Sequence, residues 1–480
     1  MAELHELTAL EAAAAVRRHE VSPVELVEHA LERIARLDEQ IGAFVTVTSE
    51  RARAQAQAAE QAVRDTGDPA ELPALLGVPT AIKDLNMVAG VPAKLGSAAF
   101  ADFVPDYDDT VVTLLRRAGA ISVGKTATPE IGLPCYTETD IGPPARTPWD
   151  TTRLAGGSSG GAAAAVSSGF VPIAQGSDGG GSIRIPASVC GLVGLKTSRG
   201  RISRGPIDLD ATRLSVLGPL SRTVRDAAAF LDVTAGPQPG DPDARDALPA
   251  GESYLAWCER APGQLRIGRY VDPPIEAEID PEVRAAWEHA STLLAGLGHE
   301  IEDVGAPIPV EAIPMFEAVW AVSAASAPVP PDREHLLRPL TRHLRERGRA
   351  ISGVQFANAL AALNVHARRG IAASAHLDAV LTPTLALPPR PVGWFQQSDG
   401  APDGDPARDF ERQKQFTPFT AIYNTTGQPA ISLPLYQTRD GLPIGVMLVG
   451  RPGGEAPLLS LAAQLEAALP WRERVPPIWT

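Results

Sequence analysis

Leu154-Ala155-Gly156-Gly157-Ser158-Ser159-Gly160-Gly161 opens a stretch that continues through an Ala-rich segment to Gly176-Ser177-Asp178-Gly179-Gly180-Gly181-Ser182-Ile183-Arg184. From residue 154 to residue 177 it carries no charged side chain. Two serines flanked by glycines therefore bracket an uncharged segment, and the second lies in a run of unhindered backbone amides. A serine nucleophile needs small neighbours and N–H groups free to face developing negative charge. A flexible Gly/Ser linker would explain the glycines alone. It does not explain why residues 162–166 form a strong helix pattern and residues 183–195 an apolar, patterned one, because linkers do not alternate with core-forming segments.

Outward from this stretch, helical and strand patterns alternate. Residues 8–36 read as two helices broken at Val21, the second opening on Ser22-Pro23-Val24-Glu25, a capping box with proline at the first helical position. A third helix is expected at 51–65 and another at 110–118, with strands ending at Lys83 and at Val123. Further strands are expected at 266–270, 300–304, 378–382, 430–434 and 444–449, and helices at 282–296 and 456–469. This alternation predicts an α/β fold with a mixed, buried central sheet. Two Pro/Gly/Asp-rich stretches, 236–251 and 387–406, bracket a mostly helical block at about 280–375, read as an insertion or cap.

Composition narrows the function classes. The 480 residues carry 43 basic and 57 acidic side chains, a net charge of −14 that disfavours nucleic acid as a direct partner. Three cysteines (Cys135, Cys190, Cys258) have no metal-ligand spacing and suit a reducing compartment. The N-terminus has no signal-peptide pattern, and the uncharged stretch is too rich in Gly and Ser for a membrane span, so a soluble cytoplasmic protein is expected.

Two short motifs match and are set aside. Gly119-Ala120-Ile121-Ser122-Val123-Gly124-Lys125-Thr126 fits the phosphate-loop pattern, but its interior is β-prone and Pro129 follows too soon for a long helix. Gly156-Gly157-Ser158-Ser159-Gly160 fits a nucleophile elbow, but residues 151–155 make a poor strand, and His376 alone among nine histidines is a tolerable partner. Without histidine, a serine needs another base. Lys83 is the one charged residue between Ala74 and itself, at the end of an apolar strand, and desolvation lowers a lysine pKa. An ordinary lysine paired with its neighbour Asp84 fits the same residues.

The whole run from Gly156 to Arg184, continued by Ile185-Pro186-Ala187 and Gly191-Leu192-Val193-Gly194-Leu195-Lys196, resembles the amidase signature family. The likeness extends to Gly77-Val78-Pro79-Thr80-Ala81-Ile82-Lys83-Asp84, to Pro148-Trp149-Asp150, and to Asn424-Thr425-Thr426-Gly427-Gln428-Pro429 with the strand after it. It implies a mixed central β-sheet covered by helices on both faces, in a single domain over 1–480. Its parts would be N-terminal helices at 1–65, a signature core at 66–235, a variable and mostly helical insertion at about 240–375 that shapes the substrate site, and C-terminal strands and a helix at 376–480.

The resemblance also implies a Ser–cis-Ser–Lys triad: Ser182 attacks an amide carbonyl, and Ser158, on a cis peptide bond, relays the proton to neutral Lys83. Gly179, Gly180, Gly181 and Ser182 would supply the oxyanion hole, with Ser159, Asp178 and Arg184 as supports. No metal or organic cofactor is implied. A substrate site touching Cys135, Tyr136, Ile183 and residues 315–320 is expected to be apolar. The sequence departs from the family pattern at Gly179, where a β-branched residue is common, at Ser177, where threonine is usual, and at Lys196-Thr197-Ser198, where Lys-Pro-Thr is common. The expected partner is a small-molecule amide, with neither nucleic acid nor membrane, and with room for a homodimer. Two other readings share the fold: a glutamine-hydrolysing subunit of a tRNA-dependent amidotransferase complex, and a catalytically silent scaffold.

Overall fold

The computed structural model describes residues 3–397 and 404–479. Part of the second Pro/Gly/Asp-rich stretch, 398–403, lies outside the described residues, as do Met1 and Ala2. Eleven strands form one sheet: β1 (Phe44–Val47), β2 (Pro79–Lys83), β3 (Ile121–Thr126), β4 (Ile173–Asp178), β5 (Val193–Lys196), β6 (Val216–Ser221), β7 (Arg266–Arg269), β8 (Glu300–Asp303), β9 (Ala379–Pro383), β10 (Ala430–Gln437) and β11 (Pro443–Gly450). Their order is β1-β3-β2-β4-β6-β5-β10-β11-β9-β7-β8. The sheet is mixed: β3, β2 and β4 run parallel to one another, as do β9, β7 and β8, and the strands between pair antiparallel. Every residue of β2, β4, β5, β6, β9 and β11 is buried, so both faces of the central sheet are covered.

The N-terminal capping box forms as the sequence specifies. Ser22 Oγ accepts from the Glu25 N–H at 3.1 Å, Glu25 Oε2 accepts from the Ser22 N–H at 2.7 Å, and the helix Pro23–Ile41 follows. The stretch from about 240 to 375 contributes in two ways. β7 and β8 prolong the sheet beyond β9, and the helices Ile313–Ser326, Pro339–Arg349 and Gly353–Ala373 lie in its second half. Four strands escape the sequence patterns: β1, β4, β5 and β6. β4 was hidden by its own glycine and polar residues, Gln175-Gly176-Ser177-Asp178, all buried here and paired with β6.

The uncharged helix Gly160–Ser167 is buried along its whole length. It lies close to the sheet because its side chains are small. The Gly161 N–H donates to the Ala127 carbonyl at 3.1 Å, and a Cβ on Gly161 would stand 2.4 Å from the Ala127 nitrogen and from the Ala43 oxygen. Backbone atoms cannot yield to such a contact. A Gly161→Ala protein is therefore expected to lose about 1–3 kcal/mol, the usual cost of overpacking, read as a lower thermal midpoint. An unchanged midpoint would show that the helix shifts freely.

Candidate active site

β2 and β4 are adjacent and parallel, with Thr80 opposite Ile173 and Ala81 opposite Ala174. Their carboxyl ends therefore lie side by side, and ligands of α/β sheets gather at such ends. Lys83 closes β2, and Ser177 and Asp178 close β4. The Lys83 ammonium position is fully buried, with Nζ 2.8 Å from Ser158 Oγ, 3.0 Å from Ser177 Oγ and 3.3 Å from the Ser177 carbonyl. All three contacts are neutral oxygens. Burial pulls the Lys83 amine down to about 7, against an opposing pull from Asp178. Asp84 is not its partner: that carboxylate pairs with Lys125 at 2.9 Å, both buried. The same pair disposes of the phosphate-loop motif, whose lysine lies inside β3 with its charge already met.

Ser158 follows a cis Gly157–Ser158 peptide bond and is 2% exposed. A neutral amine can accept the proton of this hydroxyl. Ser159 joins the two serine segments: its N–H donates to the Ser182 carbonyl at 3.1 Å, and its Oγ donates to the Ser177 carbonyl at 3.1 Å. The structure thus brings Lys83, Ser158, Ser159, Ser177 and Ser182 together from separate segments of the chain.

The turn after β4 is built around Asp178. Arg184 grips that carboxylate at two points, Nε to Oδ2 and Nη2 to Oδ1, each at 2.9 Å, with both side chains fully buried. Burial alone would raise the Asp178 pKa; the charge and hydrogen bonds of Arg184, with Lys196 beyond, hold it well below the usual carboxylate range instead. The Gly181 and Ile183 N–H groups also donate to this carboxylate, at 2.8 and 3.1 Å. Gly181 therefore differs from its expected place among four oxyanion donors: its N–H is spent on Asp178. No protein acceptor among the described residues takes the N–H groups of Gly179, Gly180 or Ser182.

Two residues that sequence reasoning missed brace this turn from outside. Asn424 Nδ2 donates to the Asp178 carbonyl at 2.8 Å and to Oδ1 at 2.9 Å, while its own oxygen accepts from Arg184 at 2.7 Å. The Thr420 hydroxyl donates to the Gly180 carbonyl at 2.6 Å. It also explains Gly181, which has φ of 136° and whose Cβ would stand 2.4 Å from Thr420 Oγ1. Asn424 begins the C-terminal block of the family pattern, so its position was visible, but its contact across 246 residues was not.

An apolar cleft with about 900 Å³ of empty space, its mouth included, opens on Ser182 and Gly180. Cys135 lines it, and residues 315–320 supply Phe316, Glu317 and Trp320. The two other expected substrate contacts lie elsewhere. Tyr136 is 2% exposed, stacks on Phe395 at 4.6 Å and donates its hydroxyl to Asp409 at 2.5 Å, behind the cleft wall. Ile183 is fully buried and faces the sheet, where a Cβ on Gly176, Gly194 or Gly218 would come within 3.1, 3.2 and 3.1 Å of its side chain. The helical turn that begins at Arg184 points residue 183 inward, so adjacency to Ser182 in sequence does not place it in the cleft. His376 pairs with Glu302 of the edge strand β8 at 2.6 Å, half exposed, and takes no part in the serine cluster.

Among the described residues no group of three or more His, Cys, Asp or Glu side chains is arranged to hold a metal ion, and no helix is long and apolar enough to cross a membrane.

The sequence model of the family described as Amidase matches residues 25–459. The chain is 34% identical over 480 residues to 6-aminohexanoate-cyclic-dimer hydrolase of Paenarthrobacter ureafaciens, covering 96% of this chain and 94% of that one. It is 34% identical over 505 residues to a glutamyl-tRNA(Gln) amidotransferase subunit of Roseiflexus sp. (strain RS-1), covering 99% of each. The solved structure of 6-aminohexanoate cyclic dimer hydrolase complexed with substrate superposes with a TM-score of 0.90 at 32% identity, covering 99% of this chain and 100% of that chain.

The Asp178–Arg184 pair makes a quantitative prediction. Arg184→Met leaves a carboxylate buried without its counter-charge, and such losses cost about 3–5 kcal/mol. Chemical denaturation should show that loss of stability; a loss below about 1 kcal/mol would mean that Asn424 and the backbone donors suffice to hold Asp178.

Proposed function

The chain belongs to the amidase signature family of amide-hydrolysing enzymes, and from that premise we propose that Ser182, Ser158 and Lys83 form its catalytic triad, acting on small amides through an acyl-enzyme. The observation that carries this reading is the buried Lys83 amine, pulled down to about 7 and 2.8 Å from Ser158 Oγ. A base that is half neutral near pH 7 can take a proton and return it within one turnover.

In the first step Ser182 Oγ bonds to the carbonyl carbon while its proton passes to Ser158, whose own proton passes to Lys83 Nζ. The carbonyl oxygen becomes an oxyanion facing the free N–H groups of Gly179, Gly180 and Ser182, the kind of donor whose loss costs about 2.7–4 kcal/mol in a transition state. The tetrahedral intermediate collapses, the C–N bond breaks, and the relay runs backward to protonate the leaving amine. Water, deprotonated by the same relay, then cleaves the Ser182 ester and releases the acid. Esters of the same acid would enter the same acylation step. The supporting side chains act at one remove: Arg184 and Asn424 shape the turn, and Ser159 sets the distance between the two serine segments. Three unbridged cysteines suit work in the cytoplasm.

The amidotransferase relative favours a second reading, a glutamine-hydrolysing subunit. Glutamine needs fixed counter-charges for its α-ammonium and α-carboxylate. The charged residues lining the apolar cleft, Glu317 and Lys414, are paired with each other at 2.7 Å, which favours an uncharged acyl group instead. Glutaminase activity that appears only with added partner subunits would select the second reading.

A fluorophosphonate probe should label Ser182 alone, and Ser182→Ala should abolish labelling. Lys83→Ala should slow acylation by about 10²–10⁴-fold, the usual range for a general base. An adduct on another serine, or labelling indifferent to Lys83, sinks the triad. The pH dependence has a fixed sign. Protonated Lys83 has no lone pair to accept with, so kcat/KM should climb with pH and level off above about 7. A profile flat from pH 5 to 9 would remove Lys83 from the base role.

A further inference from the structure

Two clefts meet at the serines, and their chemistry differs. The apolar one holds Ser182 and Gly180 and is walled by side chains such as Ile185, Phe316 and Ile422. The second holds Ser158, Ser177 and Gly179, and its wall is the more polar of the two, with Asn86, Asp109, Arg204 and Asp210 set among apolar side chains such as Leu85 and Leu217. Leu133 and Trp320 belong to both linings. They are the partition.

Trp320 rests on the turn that carries the free N–H groups. Its ring carbons Cη2 and Cζ3 stand 3.6 Å from where a Cβ on Gly179 would be, and its Cη2 stands 3.7 Å from where one on Gly180 would be. Phe316 stacks behind it at 5.8 Å and 17°. Gly179 is the position where the family often carries a β-branched residue. A Cβ there would meet the indole at ordinary contact distance, so any side chain at 179 would lie against the ring. The helix Ile313–Ser326 thus sets an aromatic wall against the Gly179–Gly180 turn.

The sides of this wall are not equivalent in the reaction. When the C–N bond breaks, its electron pair stays on nitrogen, which must then receive the proton relayed through Ser158. Ser158 lines the polar cleft; Ser182, which keeps the acyl group, lines the apolar one. The leaving amine consequently departs into the polar cleft. We infer that Trp320 is a specificity-determining residue that separates an apolar acyl cleft from a polar amine cleft, so that the preferred substrates are amides joining an apolar acid to a polar, hydrogen-bonding amine. This rests on the proposed Ser182–Ser158–Lys83 relay.

Four amides test it, crossing a hexanoyl or glyceroyl acid with butylamine or 2-aminopropane-1,3-diol, with hexanamide as a fifth whose leaving group is only ammonia. The wild-type enzyme should show the highest kcat/KM on the hexanoyl amide of the aminodiol, at least about tenfold above the inverted glyceroyl butylamide. Trp320→Ala should shrink that ratio toward unity by merging the clefts, and Trp320→Phe should keep most of it. An equal or reversed order in the wild type overturns the assignment of the clefts, and a Trp320→Ala enzyme with the wild-type ratio overturns the partition. If Trp320→Ala does not fold, the wild-type order and the Trp320→Phe ratio decide alone. Cleavage of hexanamide with the wrong order among the four leaves the relay standing and rejects only this inference. Cleavage of none of the five, with no acyl adduct on Ser182 by intact mass, rejects the relay and this inference with it.

Discussion

Asp178 and Arg184 are six residues apart and both fully buried, and the Arg184 guanidinium is the chief partner that holds the buried carboxylate ionised. For Arg184 to reach back to Asp178, the chain between them must fold into a tight turn. The remaining lone pairs of the carboxylate then draw in the N–H groups of Gly181 and Ile183, which fixes the turn at its middle and its end. What is left pointing away are the N–H groups of Gly179, Gly180 and Ser182, toward the clefts where a carbonyl oxygen could sit. The proposed site of anion stabilisation is thus a by-product of satisfying one buried acid. Asn424 and Thr420, from the segment that leads into β10, close the arrangement from the other side. The turn and the C-terminal half of the sheet therefore depend on each other.

Three lysines are buried around this centre, and comparing them shows what singles out Lys83. Lys125 pairs with Asp84 and keeps a counter-charge. Lys196 donates to two carbonyls, those of Thr197 and Gln428, and is pulled far below its ordinary pKa by burial and by the charge of Arg184. A depressed pKa is therefore not enough to mark a base, since Lys196 has one and touches no hydroxyl. Lys83 combines a depressed pKa with two serine hydroxyls in reach, both of them lining a cleft. Chemistry needs both the lone pair and a proton to move.

Much of this was readable in the sequence because it is local. The capping box at Ser22, the strand ending at Lys83 and the glycine runs at 156–161 and 179–181 each announce themselves within a few residues. β4 was not readable, because in isolation Gln175-Gly176-Ser177-Asp178 is a turn sequence, and only pairing with β2 and β6 makes it a strand. The same limit explains Tyr136 and Ile183. Nearness in sequence to Cys135 and Ser182 suggested a place in the cleft, yet successive side chains in a turn or helix point in different directions. Lys83 shows the opposite case. The sequence alone favoured a pair with adjacent Asp84, and that pairing is lost to Lys125, 41 residues on, because the parallel neighbour β3 brings it alongside.

The division of labour along the chain follows from these contacts. The proposed reacting groups hang from β2, β4 and the turn after β4, in the middle of a sheet buried on both faces, where any shift would disturb close-packed neighbours. The cleft walls come from elements added around that centre, above all the helix Ile313–Ser326 and the segment carrying Gln413, Lys414 and Thr417. A change of acyl or amine preference can therefore be made on the helix face that presents Phe316, Glu317 and Trp320 without moving Lys83 or either serine. Gly179 is the exception, since it belongs to the turn and also lies against the indole. Under the proposed relay, selectivity and catalysis are coupled at that one residue, and a side chain placed there would act on both.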